Sequence, residues 1–348
     1  MLHISGVLFL FFTLVSMADK RKLALNLFFL IGILSLGLMI WQIGVDVIWE
    51  NIKKIGWHFG TIIGLWGLVY LIKASAFHVV IHDGSPESKR FSYPLTFKLT
   101  VSGYAINYIT PFGLLGGEPY KILEMKPILG IQKATSSVLL YAMMHFVSHF
   151  IFWMISIPLL LLIAPHPSVP VLIVLILAAI ASMALIYWSF TVYTKGIVNK
   201  AVRLSIKLPY IGKRMRAYKL SNQEKINQMD FLIADLYKNR KKDFFGSLTL
   251  ELISRFILCL ETVVLMYAIN SPITFGQSVV VESVQSFITN ILFFMPMQLG
   301  SREGGFAMAY TILGLIAGQG VLVSLCFRIR ELFWTILGIL LIKVKPIK

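Results

Sequence analysis

Residues 103–121 read GYAINYITPFGLLGGEPYK, and residues 289–305 read TNILFFMPMQLGSREGG. Both lie in long apolar stretches, yet neither suits a continuous helix. Proline removes a backbone donor and clashes with the preceding turn, and glycines cluster after Pro111 and Pro296. Broken backbone at membrane depth is tolerated only where protein or water satisfies the freed groups, so each segment is expected to line a cavity. The two segments also correspond. An asparagine precedes each proline (Asn107, Asn290), and a glutamate follows it by seven positions, Pro111 to Glu118 and Pro296 to Glu303. A cation stands near each glutamate, Lys121 or Arg302. Such a pair of interrupted segments, one in each half, points to a transporter's binding site. As re-entrant hairpins, the first would open from the inside and the second from the outside, an inverted repeat of the kind alternating access uses. The plain alternative is two unrelated loops that each end at a helix N-terminus.

Composition agrees with a membrane setting. Of 348 residues, 57% are hydrophobic and 14% charged, and mean hydropathy is +0.79. Soluble domains sit nearer about 45–50% apolar and about 25% charged. These values exclude a soluble globular protein, a disordered tail and a secreted disulfide scaffold. Nine apolar segments are candidates for the roughly 20-residue length a span needs: residues 23–43, 57–81, 98–115, 138–164, 169–191, 248–269, 278–298, 305–319 and 320–342. The expected fold is an all-α polytopic membrane helix bundle of about 7–9 hydrophobic segments, with two Pro/Gly-broken or re-entrant segments meeting near the midplane.

The net charge of +16 comes from 32 Lys and Arg against 16 Asp and Glu. Residues 193–243 hold 13 of those bases and four acids, Glu224, Asp230, Asp235 and Asp243. Short basic loops between spans are the positive-inside signal, and they meet anionic lipid head groups first. Nucleic acid is not the expected partner, since no base-reading module is present. With Lys20, Arg21 and Lys22 before the first span and Lys343, Lys345 and Lys348 after the last, the expected orientation is N-in and C-in. Within the basic loop, Ile226, Met229, Ile233, Leu236 and Tyr237 recur at helical spacing. That pattern describes an amphipathic helix, either lying on lipid or packed as a connector beneath the bundle. Residues 1–16 read as a signal-like segment, a short apolar extension, or sequence upstream of a start at Met17. The last is preferred, leaving residues 17–348 as one membrane domain. Cys259 and Cys326 fall within apolar spans and are read as packing residues.

Charges inside apolar stretches are costly, about 2.5–3.5 kcal/mol at the bilayer centre on insertion scales. This chain carries Lys73, Glu251, Arg255, Glu261, Glu282, Arg328, Arg330 and Glu331 there. Glu251 and Arg255 are spaced i,i+4, and Arg328 and Glu331 i,i+3, so each pair can neutralise itself on one helix. The other reading has Arg255 and Arg328 (or Arg330) facing a cavity and receiving an anionic head group. Glu118 and Glu303 follow glycine-bearing breaks and should open helices, where the dipole favours a carboxylate. Their repeated placement also suits a lipid-amine or proton site, with Lys121 and Arg302 as their cations. His145 and His149, spaced i,i+4, lack the companions of a zinc site and are read as interhelical hydrogen-bonding groups; His78 and His82 are read the same way. No nucleophile–base pair, phosphate-cradling loop or dinucleotide fingerprint is found.

The pattern Asn107-x3-Pro111-x-Gly113-x2-Gly116-Gly117-Glu118-x2-Lys121, then Pro296-x3-Gly300-x2-Glu303, then Arg328 near Trp334 and Gly338, resembles the flippase-like membrane family. That family includes the transmembrane region of lysylphosphatidylglycerol synthases/flippases. The resemblance covers roughly residues 22–343, and the first motif is its most specific part. One departure is Lys121, where the family often has arginine; lysine keeps the charge without the bidentate fork. The resemblance implies movement of a lipid between leaflets in a bacterial or archaeal cytoplasmic membrane. It does not imply lysyl transfer, because the aminoacyl-transferring members carry a separate soluble domain for which this chain, ending at Lys348, has no room. The expected head-group site comprises Asn107, Pro111, Gly116, Gly117, Glu118, Lys121, Arg255, Pro296, Gly300, Arg302, Glu303 and Arg328. No cofactor, metal or catalytic residue is expected. The expected partners are a membrane lipid, the anionic lipid surface at the basic loop, and a second copy or a lipid-modifying enzyme. The rival readings are a membrane transferase acting on a lipid-linked phosphate or sugar, with Glu118 or Glu303 as base, and a scaffold that docks partners through the basic loop.

Overall fold

A computed structural model describes residues 44, 46, 49, 50, 53, 55–109, 117–164, 167–207, 212–292, 295, 298 and 300–344. The readings that concern residues 1–43, and the individual positions Pro111, Gly113, Gly116 and Pro296, lie outside these. The described residues form eleven helices and no strand. In chain order they are α1 His58–Ile81, α2 Pro86–Lys89, α3 Tyr93–Ile109, α4 Gly117–Ile163, α5 Val169–Lys195 and α6 Ile197–Ile206, then α7 Gly212–Lys238, α8 Lys241–Ala268, α9 Phe275–Ile291, α10 Ser301–Ile312 and α11 Ala317–Lys343. Three are long and apolar enough to cross a membrane by length and composition: α1, α4, and α5 over Val169–Thr191. Helix α5 leaves Ile173, Ile176, Leu177 and Ile180 exposed, the surface a helix on the lipid side of a bundle presents.

Helix α4 is two helices. Gly130 adopts φ 73°, ψ 165°, a region open essentially to glycine alone. In a straight helix Lys121 and Tyr141 would be about 30 Å apart. Instead Lys121 Nζ lies 5.6 Å from the Tyr141 ring centroid, so the chain folds back at Gly130. Residues 117–129 also run antiparallel to α3: Lys98 meets Glu124 at 3.5 Å, Ser102 Oγ donates to Tyr120 Oη at 2.9 Å, and Asn107 reaches Glu118. Helix α10 packs antiparallel to α9, with Gly305 against the Gln285 backbone, and folds back at Gly314, φ 70°, onto α11, where Gly320 meets the Phe306 carbonyl.

The two hairpins sit at opposite poles. One core gathers Phe77 and Val80 from the end of α1, Leu95, Leu129, Phe244 and Ile342, so α3 and residues 117–129 open at that pole. The other gathers Ile62 from the start of α1 with Leu265, Val280, Leu313 and Val323, where α9 begins and α10 ends. Helix α8 lies along α1 and joins both ends.

Several boundaries differ from the sequence reading. The helix of the expected span 278–298 stops at Ile291, and that of the expected span 98–115 is described as far as Ile109. The boundary placed between residues 319 and 320 falls at 313–316 instead. Gly314 supplies the positive φ that ends α10, and Leu315 N bonds back to Tyr310 O at 2.9 Å. Gly320, where the expected span 320–342 begins, lies inside α11, and its missing side chain admits α10. In the basic loop, Ile226, Met229, Ile233 and Leu236 are buried against Val198, Val202 and Phe244. Helix α7 is thus a connector packed on the bundle, and Asp230 caps α6 by accepting from Val198 N at 2.7 Å and Asn199 N at 3.0 Å.

Candidate functional site

The first break ends where α4 begins. A Cβ at Gly117 would stand 2.2 Å from Gly103 O and 2.8 Å from the Asn107 side chain, so only glycine admits this approach. Gly117 N donates to Asn107 Oδ1 at 2.8 Å. Asn107 Nδ2 in turn donates to the Glu118 carboxylate at 3.0 and 3.2 Å. Lys121 Nζ stands 3.4 Å from Glu118 Oε1, held between the rings of Phe77 and Tyr141 at 5.8 and 5.6 Å. The amide thus locks an open helix N-terminus to a carboxylate and leaves one cation beside it.

Tyr141 carries the arrangement onward, donating to Glu251 Oε1 at 2.5 Å. His145 Nδ1 shares a hydrogen bond with Glu251 Oε2 at 2.9 Å. Arg255, one turn along α8, donates to Ser148 Oγ, to His145 O, and across to His149 Nδ1, each at 2.9 Å. Among the described residues the hydrogen-bond partners of this buried guanidinium are neutral groups. Lys73 on α1 interacts electrostatically with Glu251, Arg255 and Lys121. Four of the residues expected from sequence (Asn107, Gly117, Glu118 and Lys121) therefore meet at one place, and Arg255 joins them through Tyr141 and Glu251.

The second break ends at Gly300, φ 77°, which precedes α10. Glu303 turns back to accept from Gly300 N at 2.9 Å. The same carboxylate takes a two-pronged bond from Arg328, Nε to Oε1 at 2.6 Å and Nη2 to Oε2 at 2.9 Å, and a third from Ser324 Oγ at 2.9 Å. Arg328 Nη2 also reaches Gln298 O at 3.2 Å, tying the end of the break to α11. Gly300, Glu303 and Arg328 thus come together as expected.

Arg302 departs from its expected partner. It pairs with Glu331, not Glu303, and Glu331 meets Arg330 at 3.2 Å. Arg330 pairs with Glu261, and its guanidinium lies 3.6 Å from the Trp66 ring centroid and 4.6 Å from that of Phe327. Tyr104 Oη donates to Glu331 Oε1 at 3.4 Å. These contacts join α1, α3, α8, α10 and α11 through side chains at most 9% exposed, apart from Tyr104. The local pairings read from i,i+4 and i,i+3 spacing do not form; each cation turns to another helix. The alternatives for the cavity arginine separate accordingly, with Arg328 at the break and Arg330 inside the ion-pair core. The interhelical reading of His145 and His149 agrees with their contacts to α8, and His78 reaches Thr96 on α3 at 2.9 Å. His82 Nδ1 instead lies 3.1 Å from His78 O on its own helix.

Tyr104, Tyr141, Ser148 and Trp66 complete these clusters without a signal in the sequence, because their partners lie more than a hundred residues away. Among the described residues no three His, Cys, Asp or Glu side chains gather as a metal site.

The family model of the lysylphosphatidylglycerol synthase TM region matches residues 24–338. That stretch contains both breaks, both hairpins and both charged clusters. No curated protein and no solved structure matches the chain. On this match, the chain is an integral membrane protein that belongs to the lysylphosphatidylglycerol synthase TM region family.

Proposed function

We propose that the protein is a lipid translocase, which moves a polar or anionic head group between leaflets while the chains stay in the bilayer. The observation that carries this reading is the paired construction at opposite poles. At each pole a helix precedes a proline- and glycine-bearing segment, and a short helix then opens with a glutamate in its first turn bonded to a cation. In this reading the two hairpins are re-entrant and form an inverted repeat. Residues 117–129 and α10 span only about 18–20 Å, short of the roughly 30 Å hydrocarbon core. Asn107, Glu118, Lys121 and Arg255 receive the head group from one side; Gly300, Arg302, Glu303 and Arg328 do so from the other, Arg302 by leaving Glu331. Pro111, Gly116 and Pro296 are assigned to the breaks.

The chain is oriented with both ends inside, so the basic connector faces anionic lipid. Lys207, Lys213 and Arg216 are exposed where α6 meets α7, around a cavity of about 540 Å³.

The test is leaflet transfer of a fluorescent phospholipid in proteoliposomes, read by quenching from outside. Glu118→Gln and Glu303→Gln should each abolish protein-dependent transfer while expression is retained. Wild-type rates in both variants would refute the assignment.

A further inference from the structure

Glu282 stands outside the ion pairs that surround it. It lies on α9, about 10 Å along the helix from Phe275, half-buried against α8 and α10. The Thr262 hydroxyl donates to its Oε1. The ion pairs nearby are Arg330 with Glu261, Arg302 with Glu331, and Arg330 with Glu331; among the described residues none includes Glu282. Two arginines therefore face two paired glutamates, and Glu282 adds a third negative charge with no ion-pair partner among the described residues. The groups that act on it electrostatically are Cys259 and Glu261 from α8, Arg302 and Tyr310 from α10, and Arg330 and Glu331 from α11.

Two further atoms turn the same region into a site. The Tyr310 hydroxyl is buried and has no hydrogen-bond partner among the described residues, and neither does Glu261 Oε1. Buried polar atoms are ordinarily bonded to protein or water, so these oxygens, whose groups act electrostatically on Glu282, mark a region where a proton or a water can be held. A hard metal cation gathers about six oxygens, whereas Thr262 is the one group bonded to Glu282 among the described residues. A proton needs the carboxylate alone.

We propose that Glu282 is a proton-binding site in the second hairpin, through which lipid movement draws on a proton gradient. The step balances simply: one carboxylate oxygen takes a proton from water on one side, and the cluster passes from one excess negative charge to neutral. When the hairpin rearranges, Glu282 meets Arg302 or Arg330 and returns the proton to water on the other side. The coupling half of this proposal rests on the translocase reading; the proton site does not.

The site is tested by infrared difference spectroscopy on the full chain in phosphatidylethanolamine/phosphatidylglycerol nanodiscs. The wild type should show the carbonyl stretch of a protonated carboxylic acid at neutral pH. Glu282→Gln should lose that band. Thr262→Val, which removes only the hydrogen bond, should keep the band and move its frequency, an effect a purely structural role would not produce. A wild type without the band, or a band unchanged in Glu282→Gln, overturns the site. In vesicles of the same lipids, an imposed pH gradient should change the fluorescent-lipid transfer rate several-fold in the wild type and not in Glu282→Gln. An equal response in both overturns the coupling. Transfer absent from the wild type despite the band would refute the translocase reading and leave the proton site standing.

Discussion

At the scale of single residues, Arg255 of α8 and Arg330 of α11, both buried, are predicted to behave differently. Arg330 neutralises Glu261 and Glu331, which are 1% and 0% exposed in their side chains. Arg330→Ala would strand Glu261 and leave Glu331 with Arg302 alone, and breaking one member out of a buried pair costs about 3–5 kcal/mol. Arg255 donates to Ser148, His149 and the His145 carbonyl, so Arg255→Ala strands no carboxylate directly. Equilibrium unfolding in mixed micelles should show Arg330→Ala destabilised by that larger amount and Arg255→Ala by clearly less; equal losses would contradict the ion-pair account. Outside the spans, Asp83 supplies a pH test. Burial pushes its carboxyl upward, but hydrogen bonds from Lys133 at 2.5 Å and from Ser85 outweigh it and hold the group well below the usual carboxylate range. A depressed folded value stabilises the protein above the unfolded value, near pH 3.9, and that stability is lost as pH falls toward the folded value. Asp83→Asn should therefore be less stable than wild type at neutral pH, with the gap closing only below about pH 4.

At the scale of elements, the helices meet through glycines, and substitution distinguishes contact from mere composition. A Cβ at Gly338 would lie 2.6 Å from Ala105 Cβ and 2.8 Å from Val101 O, wedging α11 from α3. Gly304, inside α10, has nothing within 4 Å. Gly338→Ala should lower the thermal midpoint, whereas Gly304→Ala should hold or raise it, since alanine favours a helix interior over glycine by about 1 kcal/mol. A scanning-fluorimetry comparison in one detergent checks the pair. The same contrast explains what the sequence could reveal. The breaks at 103–121 and 289–305 were legible because proline and glycine act on their own backbone, and Glu118 and Glu303 were legible as first-turn carboxylates for the same local reason. Gly314 and Gly320 were not separable, because one ends a helix by its φ and the other permits a neighbour, and only the neighbour tells them apart. The pairing of Arg302 with Glu331, and of Arg330 with Glu261, was illegible because helix spacing describes one helix, while these charges are settled between helices.

At the scale of the whole molecule, the two charged clusters lie in series across the bundle, linked by α1, α8 and α11. The cluster at α4 gathers Lys73, Lys121 and Arg255 against Glu118 and Glu251, one positive charge in excess. The cluster around α9 and α10 holds the opposite excess at Glu282. On the proposals above, a bundle with a positive site near one pole and a negative one near the other would accept an anionic head group at the first, while a proton neutralised the second. On the translocase proposal the lipid should therefore be held by Arg255, Arg302 and Arg328, and not by Arg330, which stays paired with Glu261. Mass spectrometry of lipids that co-purify with the protein should find one anionic class enriched over the host membrane in the wild type. The Arg255→Ala/Arg328→Ala variant should lose that enrichment, because Arg328 anchors the second break through Glu303 and Gln298 and Arg255 stands behind the first. Thr262→Val, which changes only the proton site, should retain it. Bulk host lipids in wild type and variant alike would assign both arginines to structural bonding and move the head group away from the breaks.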